Sequence, residues 1–361
     1  MIYRLYRVNS TGPNTIEYES FDKFDFYHKI LNMIDNYEVY YSPNAEYVTR
    51  EEQHKLWTTD FCDHGYTQLD GFSHHYVRYE EVSPHKDRDL YIREKLHEHY
   101  LEALEQGYEI FGIFVQGSQN YGLDVYNEEY WSDIDTKCIV LPSLDDIILN
   151  KKPISTTHER ENKEHIDFKD IRLMWECFKK QNVNFMEILF TDYYIIPEKY
   201  KKYWDKMREM AEEIAHAHPA QTVRTMSGMG MEKFKALEHR YPTLIEKIDK
   251  YGYDGKQLHH IIRINDFIKR YTMGLSFKES LTPTAIMVKQ MNEAKLNKYS
   301  LPVARELAKR YDDETKFIKD SYIDMEGDKV NESVYNSMDQ IKAQILKDYF
   351  KQEILKSEKN C

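Results

Sequence analysis

Residues 115–135 read VQGSQNYGLDVYNEEYWSDID, and the reading of this stretch decides the fold. It follows the apolar run Tyr108 to Val115 (YEIFGIFV), whose aromatic and β-branched composition is that of a buried strand. The strand stops at Gly117, where the missing Cβ lets backbone approach a ligand closely. If the next residues turn into a short helix, its first N–H groups and the Ser118 hydroxyl point at an anion, and a polyphosphate fits there. Ser132 to Leu141 reads as a second strand. Side chains alternate between strand faces, so Asp133 and Asp135 are expected to point one way and Ile134 the other. Two carboxylates so spaced suit Mg²⁺, which takes one or two carboxylates plus substrate phosphate and water.

A third carboxylate is needed if two metal ions are to be bridged and an attacking hydroxyl deprotonated. Asp167 is the candidate. It lies in the extended-looking segment His165 to Phe168 (HIDF), after the polar stretch NKKPISTTHERENKE and before the amphipathic run Ile171 to Lys180. A second constellation is Lys256, His260 and Arg263. Offsets of four and seven residues put them on one face of a helix, with Leu258, Ile261, Ile262 and Ile268 on the other.

The Gly-Ser pair, the SDID segment and the later lone Asp resemble the DNA polymerase β-like nucleotidyltransferase superfamily. Within it, GSQNYGL, SDID, HIDFKDIRLMWECFKKQNVNFMEILF and KQLHHIIR are most similar to a branch of predicted bacterial and phage nucleotidyltransferases that carry an RNA-repair label. The resemblance covers roughly residues 108–275 by motif order. The connection Asp124 to Trp131 is several residues longer than the family pattern.

The resemblance implies an α+β fold: a polymerase β-like palm of mixed sheet and helices, a C-terminal helical domain and an N-terminal accessory α/β element. It implies transfer of an NMP from an NTP to an acceptor hydroxyl, with pyrophosphate released and two Mg²⁺ (or Mn²⁺) ions as cofactors. Gly117 and Ser118 then correspond to the nucleotide-binding pair, and Asp133, Asp135 and Asp167 to catalytic metal ligands. Lys256, His260 and Arg263 match positions facing the nucleotide. Glu187 matches a family position too, and a structural hydrogen-bond partner is the alternative reading for it. An RNA or tRNA end is the first-choice acceptor; a protein, a small molecule such as an aminoglycoside, or a second nucleotide suit the same carboxylates. A reading of a different class is a non-catalytic nucleotide-binding module that senses NTP in host–phage conflict. Three intact acids argue against it.

Composition bounds the rest. A chain of 361 residues builds two or three domains, expected as an accessory element at 1–90, a catalytic domain at 91–200 and a helical domain at 201–361. A net charge of −12 argues against an extended duplex-DNA-binding surface, which needs a basic footprint. No run reaches the ~18 apolar residues of a membrane span, and MIYRLYRVNS lacks the apolar core of a signal peptide. The expectation is a soluble cytoplasmic protein with no membrane partner. Cys62, Cys138, Cys177 and Cys361 lack CxxC spacing, which predicts reduced thiols. Cys62 and His64, with His74 and His75 ten residues on, are metal-ligating types, but among fifteen histidines chance clustering is the favoured reading. The thirty tyrosines run through every segment and read as packing. In the first ninety residues MIYRLYRV, YEVYYS and HHYVRYEEV read as strands. DLYIREKLHEHYLEALEQG reads as a helix ended by Gly107, and from Trp204 onward the pattern is almost wholly helical.

Overall fold

The computed structural model describes residues 1–9, 12–36, 49, 51–53, 66–68, 75–128 and 130–359. The chain divides into two compact units, Met1–Glu98 and His99–Cys361. In the first, β1 (Ile2–Arg7), β2 (Thr15–Ser20), β3 (Tyr66–Gln68) and β4 (His75–Glu80) form an antiparallel sheet in the order β2-β1-β4-β3. Helix α1 (Lys23–Asp35) begins at Asp22, whose carboxylate accepts the N–H groups of Phe24 and Asp25. Its Phe26, Ile30, Met33 and Ile34 pack with Leu5 and Val77 in a core belonging to this unit. The strand-like runs alone indicate neither β2 nor α1. YEVYYS, Cys62, His64, His74 and Cys361 lie outside the described residues; His75 stands 3.0 Å from a Glu17 carboxylate oxygen.

Helix α2 (Arg88–Glu105) carries the division between the units and stops just before Gly107, where φ is +75°. The second unit holds β5 (Glu109–Gln116), β6 (Asp135–Leu141), β7 (Ser155–Glu159), β8 (His165–Asp170) and β9 (Tyr194–Ile195) in the order β7-β8-β6-β5-β9. β6 and β8 are parallel, with Lys137 opposite Asp167; the other pairs are antiparallel. Between and after the strands come helices α3 (Leu144–Ile148), α4 (Ile171–Lys179), α5 (Val183–Met186), α6 (Glu198–Glu209), α7 (Ala211–Ala215), α8 (Pro219–Ala236), α9 (Ile245–Tyr251), α10 (Gly255–Thr272), α11 (Phe277–Leu281), α12 (Ala285–Lys295), α13 (Leu301–Glu326) and α14 (Glu332–Lys359). The chain is thus α+β, with mixed sheets and a helical C-terminal region. No helix among the described residues is long and apolar enough to cross a membrane.

One apolar core runs from Phe111 and Phe114 on β5 through Trp175 and Trp204 to Ile262 and Phe267 on α10 and Met338 on α14. Helix α10 begins at Asp254, whose buried carboxylate accepts the Lys256 N–H at 3.0 Å and the Lys247 ammonium at 2.7 Å. Its first residue, Gly255, sits so close to α12 that a Cβ there would stand 2.1 Å from the Ala294 carbonyl oxygen. This close approach fixes α10 and α12 relative to each other, and with them one wall of the site.

Candidate active site

At the end of β5, Gly117 adopts φ +89°, ψ −145° with open space where a Cβ would be, so the glycine is required by conformation. A single turn of 3₁₀ helix, Ser118–Tyr121, follows and closes at Gly122 in the left-handed region. Two side chains brace it: Asn120 donates to the Val115 carbonyl at 2.9 Å, and Thr191 donates to Asn120 Oδ1 at 2.6 Å. The first two amides of such a turn, here those of Ser118 and Gln119, have no acceptor inside it. The Gly117 amide is engaged: it donates to Glu187 Oε1 at 3.3 Å.

The SDID segment differs from the expectation. β6 begins at Asp135, so Asp133 precedes the strand, because the backbone from Ser132 to Ile134 is bonded elsewhere. Ser132 N–H donates to the Val125 carbonyl at 2.8 Å, Gln119 Nε2 donates to the Asp133 carbonyl at 2.7 Å, and Ile134 N–H donates to Glu164 Oε1 at 3.3 Å. Gln119 thereby ties the acid segment to the Gly-Ser turn. Glu164, buried, also meets His99 Nε2 at 3.1 Å and accepts from Asn162 at 2.7 Å. Although burial opposes it, those hydrogen bonds from His99 and Asn162 hold its carboxyl down at about 2. The longer connection Asp124 to Trp131 folds back on itself through a bridge between Tyr126 and Trp131 and presents Tyr130 to the cleft.

Asp133, Asp135 and Asp167 all line one cleft of about 460 Å³. Burial, and then the neighbouring Asp135 charge, raise the Asp133 carboxyl above its ordinary value, even though Asp133 as a residue stands exposed at the rim. Asp135 Oδ1 accepts the His165 N–H at 2.9 Å and lies 3.2 Å from that residue's ring Nδ1. Asp167 accepts from the Thr157 hydroxyl and from Gln116 Nε2 at 3.4 Å. Among the described residues no three His, Cys, Asp or Glu side chains are gathered closely enough to hold a metal ion.

The facing wall comes from α10. Lys256, His260 and Arg263 line the cleft as their spacing predicts, and so does His259. The Arg263 guanidinium lies 3.9 Å over the Tyr121 ring, whose buried hydroxyl has no hydrogen-bond partner among the described residues. Burial pushes the His259 imidazole down to about 3, its Nδ1 standing 3.0 Å from the Met291 carbonyl. Burial, then His259 beside it, pushes His260 well below its ordinary value, so burial favours the neutral form of both rings. Glu187, only 3% exposed, is pushed by burial to about 8, with Arg263 opposing.

Two lysines in the cleft were not expected. Lys295, from α12, donates to Ser132 Oγ at 3.2 Å and lies 4.9 Å over Tyr130; burial, then Lys256, lower its ammonium to about 8. Lys137, on the Asp135 face of β6, donates to the Asn184 carbonyl at 2.6 Å, and burial takes it to about 8. The period-2 alternation of β6 places Lys137 on that face and thus marks it. Nothing local signals Lys295, which is brought in by the packing of α12 on α10.

Comparison with protein-family models, with curated proteins and with solved structures finds no match to this chain.

Proposed function

We propose that this protein is a metal-dependent nucleotidyltransferase moving an NMP from an NTP to an acceptor hydroxyl. One observation carries the reading: residues far apart in sequence line a single cleft, with the Gly117–Ser118 turn and three carboxylates on the sheet side and Lys256, His260 and Arg263 on the helix side. Its volume suits a nucleotide, and its groups pair an anion site with an acid cluster. The sheet also supports a polymerase β-like palm, with the Gly-Ser turn after β5 and acids on or beside the parallel strands β6 and β8.

The donor chemistry fits Mg²⁺ or Mn²⁺. Asp133 and Asp135 crowd like charges together, which a divalent cation relieves, and both offer hard oxygen. Asp133 and Asp135 are the residues that would hold it together with substrate phosphate and water, with Asp167 as the third acid on the neighbouring strand; a metal bound there would lower the pKa of a hydroxyl and offset charge on the pyrophosphate. The remaining work falls to the chain itself. The Ser118 hydroxyl and the amides of Ser118 and Gln119 bind phosphate oxygens, and Arg263 offers a bidentate fork fixed on Tyr121. Lys256 and Lys295 add positive charge near Asp133. Asp167 accepts a hydrogen bond from the attacking hydroxyl, which meets the α-phosphorus in line with the leaving group. Catalysis is then mostly positioning and electrostatics.

The test incubates purified protein with each α-labelled NTP, Mg²⁺ or Mn²⁺, and either total RNA or protein lysate. Label is expected on an acceptor with wild type and on none with Asp135→Ala. The reading fails if no NTP labels any fraction, or if Asp135→Ala labels as well as wild type.

A further inference from the structure

We infer that the Asp167 end of the cleft is a subsite for a phosphate group carried by the acceptor, formed by Lys169, Lys137, Asn182 and Asn184. The inference rests on the nucleotidyl-transfer reading, which places the attacking hydroxyl at Asp167.

The sheet brings these groups together. Lys169 follows Asp167 by two residues on β8, so the two share a face about 6.6 Å apart. Lys137 stands directly opposite Asp167 across the parallel pair, and Ser155 on the edge strand β7 stands opposite Lys169. Asn182 and Asn184, just beyond α4, complete the wall. Charge is the deciding observation. Several part-buried lysines of this unit are paired, Lys179 with Asp339 at 2.6 Å, Lys247 with Asp254 at 2.7 Å and Lys269 with Glu314 at 2.6 Å, while Lys295 across the cleft meets only the Ser132 hydroxyl. Lys137 and Lys169 are not paired either. Among the described residues neither ammonium has a carboxylate within 4 Å. Lys169 donates to the neutral Ser155 hydroxyl at 3.0 Å, and Lys137 donates to a backbone carbonyl while lying 4.2 Å over the Phe185 ring. Lys137 is 3% exposed, so this is a buried cation with no direct ion pair, facing only the more distant Asp167 charge, and an anion that reaches it is stabilised.

A phosphate ester is such an anion. Its oxygens accept from both ammonium groups and from the asparagine amides, beside the carboxylate that meets the attacking hydroxyl. A polyamine-type acceptor would instead add positive charge to two unpaired lysines. The acceptor class is therefore a nucleotide or a polynucleotide end.

The experiment measures binding by the full chain, wild type against Lys169→Gln and Lys169→Arg, of a pentauridylate with a free 3′ hydroxyl, of uridine 5′-monophosphate, of uridine and of a non-hydrolysable ATP analogue. Lys169 is half-buried and pairs only with a hydroxyl, so the substitution leaves the fold intact, which a melting curve checks. Lys169→Gln should weaken the pentanucleotide about tenfold and reduce its salt slope by about one, with the ATP analogue within about twofold and Lys169→Arg close to wild type. An equal loss for the mononucleotide assigns the subsite to a single phosphate; a loss for the pentanucleotide alone assigns it to a strand. Unchanged affinity for both, or an equal loss for the ATP analogue or for uridine, overturns the subsite. Lys169-dependent binding without NMP transfer under any NTP keeps the phosphate site and refutes the transferase reading.

Discussion

Asp133 and Asp167 are held differently, and their substitution should read differently. Asp133 is crowded by Asp135, whereas Asp167 is held by Thr157 and Gln116. If, as proposed, Asp167 meets the attacking hydroxyl, it should matter for chemistry more than for nucleotide affinity. Asp167→Asn is expected to lower turnover by about a hundredfold or more while the Mg²⁺–NTP Kd stays within about tenfold, roughly 1.4 kcal/mol. Equal losses of binding and turnover would make Asp167 structural. Glu187 offers a pH test. The unfolded chain releases this proton near 4.5, but burial keeps it on the folded protein to about 8. Its contribution to stability is therefore complete below pH 4.5 and is lost as pH rises toward 8. Glu187→Gln, neutral throughout, should gain in Tm relative to wild type as pH is raised across that window. A Tm difference independent of pH would show that Glu187 is ionised in the fold. The individual side chains were the most legible layer of the sequence: all eight expected site residues line the cleft. The hidden part was what each is bonded to, because the Gly117–Glu187 contact spans seventy residues and leaves no local pattern.

Strands and helices were legible where one face is buried and one is not. β8 alternates buried and half-buried residues from His165 to Asp170, and α10 buries Leu258, Ile261, Ile262 and Ile268, as their periods indicate. The start of β6 was misplaced by three residues. The pattern SDID alternates like a strand, but Val125, Gln119 and Glu164 take the backbone bonds that a neighbouring strand would otherwise make. The contact of α10 with α12 is testable through Gly255. A Cβ there would press into the Ala294 carbonyl and stand 2.8 Å from Asn297 Oδ1, so α12 must move and carry Lys295 with it. Gly255→Ala is expected to destabilise by about 1–3 kcal/mol and to weaken NTP binding together with stability. Normal NTP affinity in a destabilised variant would remove Lys295 from the nucleotide site.

Among the described residues, all that line the cleft belong to His99–Cys361, and so do all that form the core beneath it. A chain of residues 88–361, keeping α2 whole, is therefore expected to melt cooperatively and to bind Mg²⁺–NTP within about twofold of the full protein. A polypeptide that fails to fold would give the first unit a part in holding the second together. The last long helix has a consequence for how the molecule is made. Trp175 Nε1 on α4 donates to the Met338 carbonyl on α14 at 3.0 Å, and Tyr335 donates to the Lys179 carbonyl at 3.1 Å. The first of these contacts joins residues 163 positions apart. A ribosome adding about 5–20 residues per second needs on the order of ten to thirty seconds to cover that distance. From Ile195 onward the nascent chain has all five strands of its second sheet while the Trp175 side of α4 still waits for its cover. Synthesis at low temperature lengthens the wait, and a chaperone that shields aromatic surface would be useful during it.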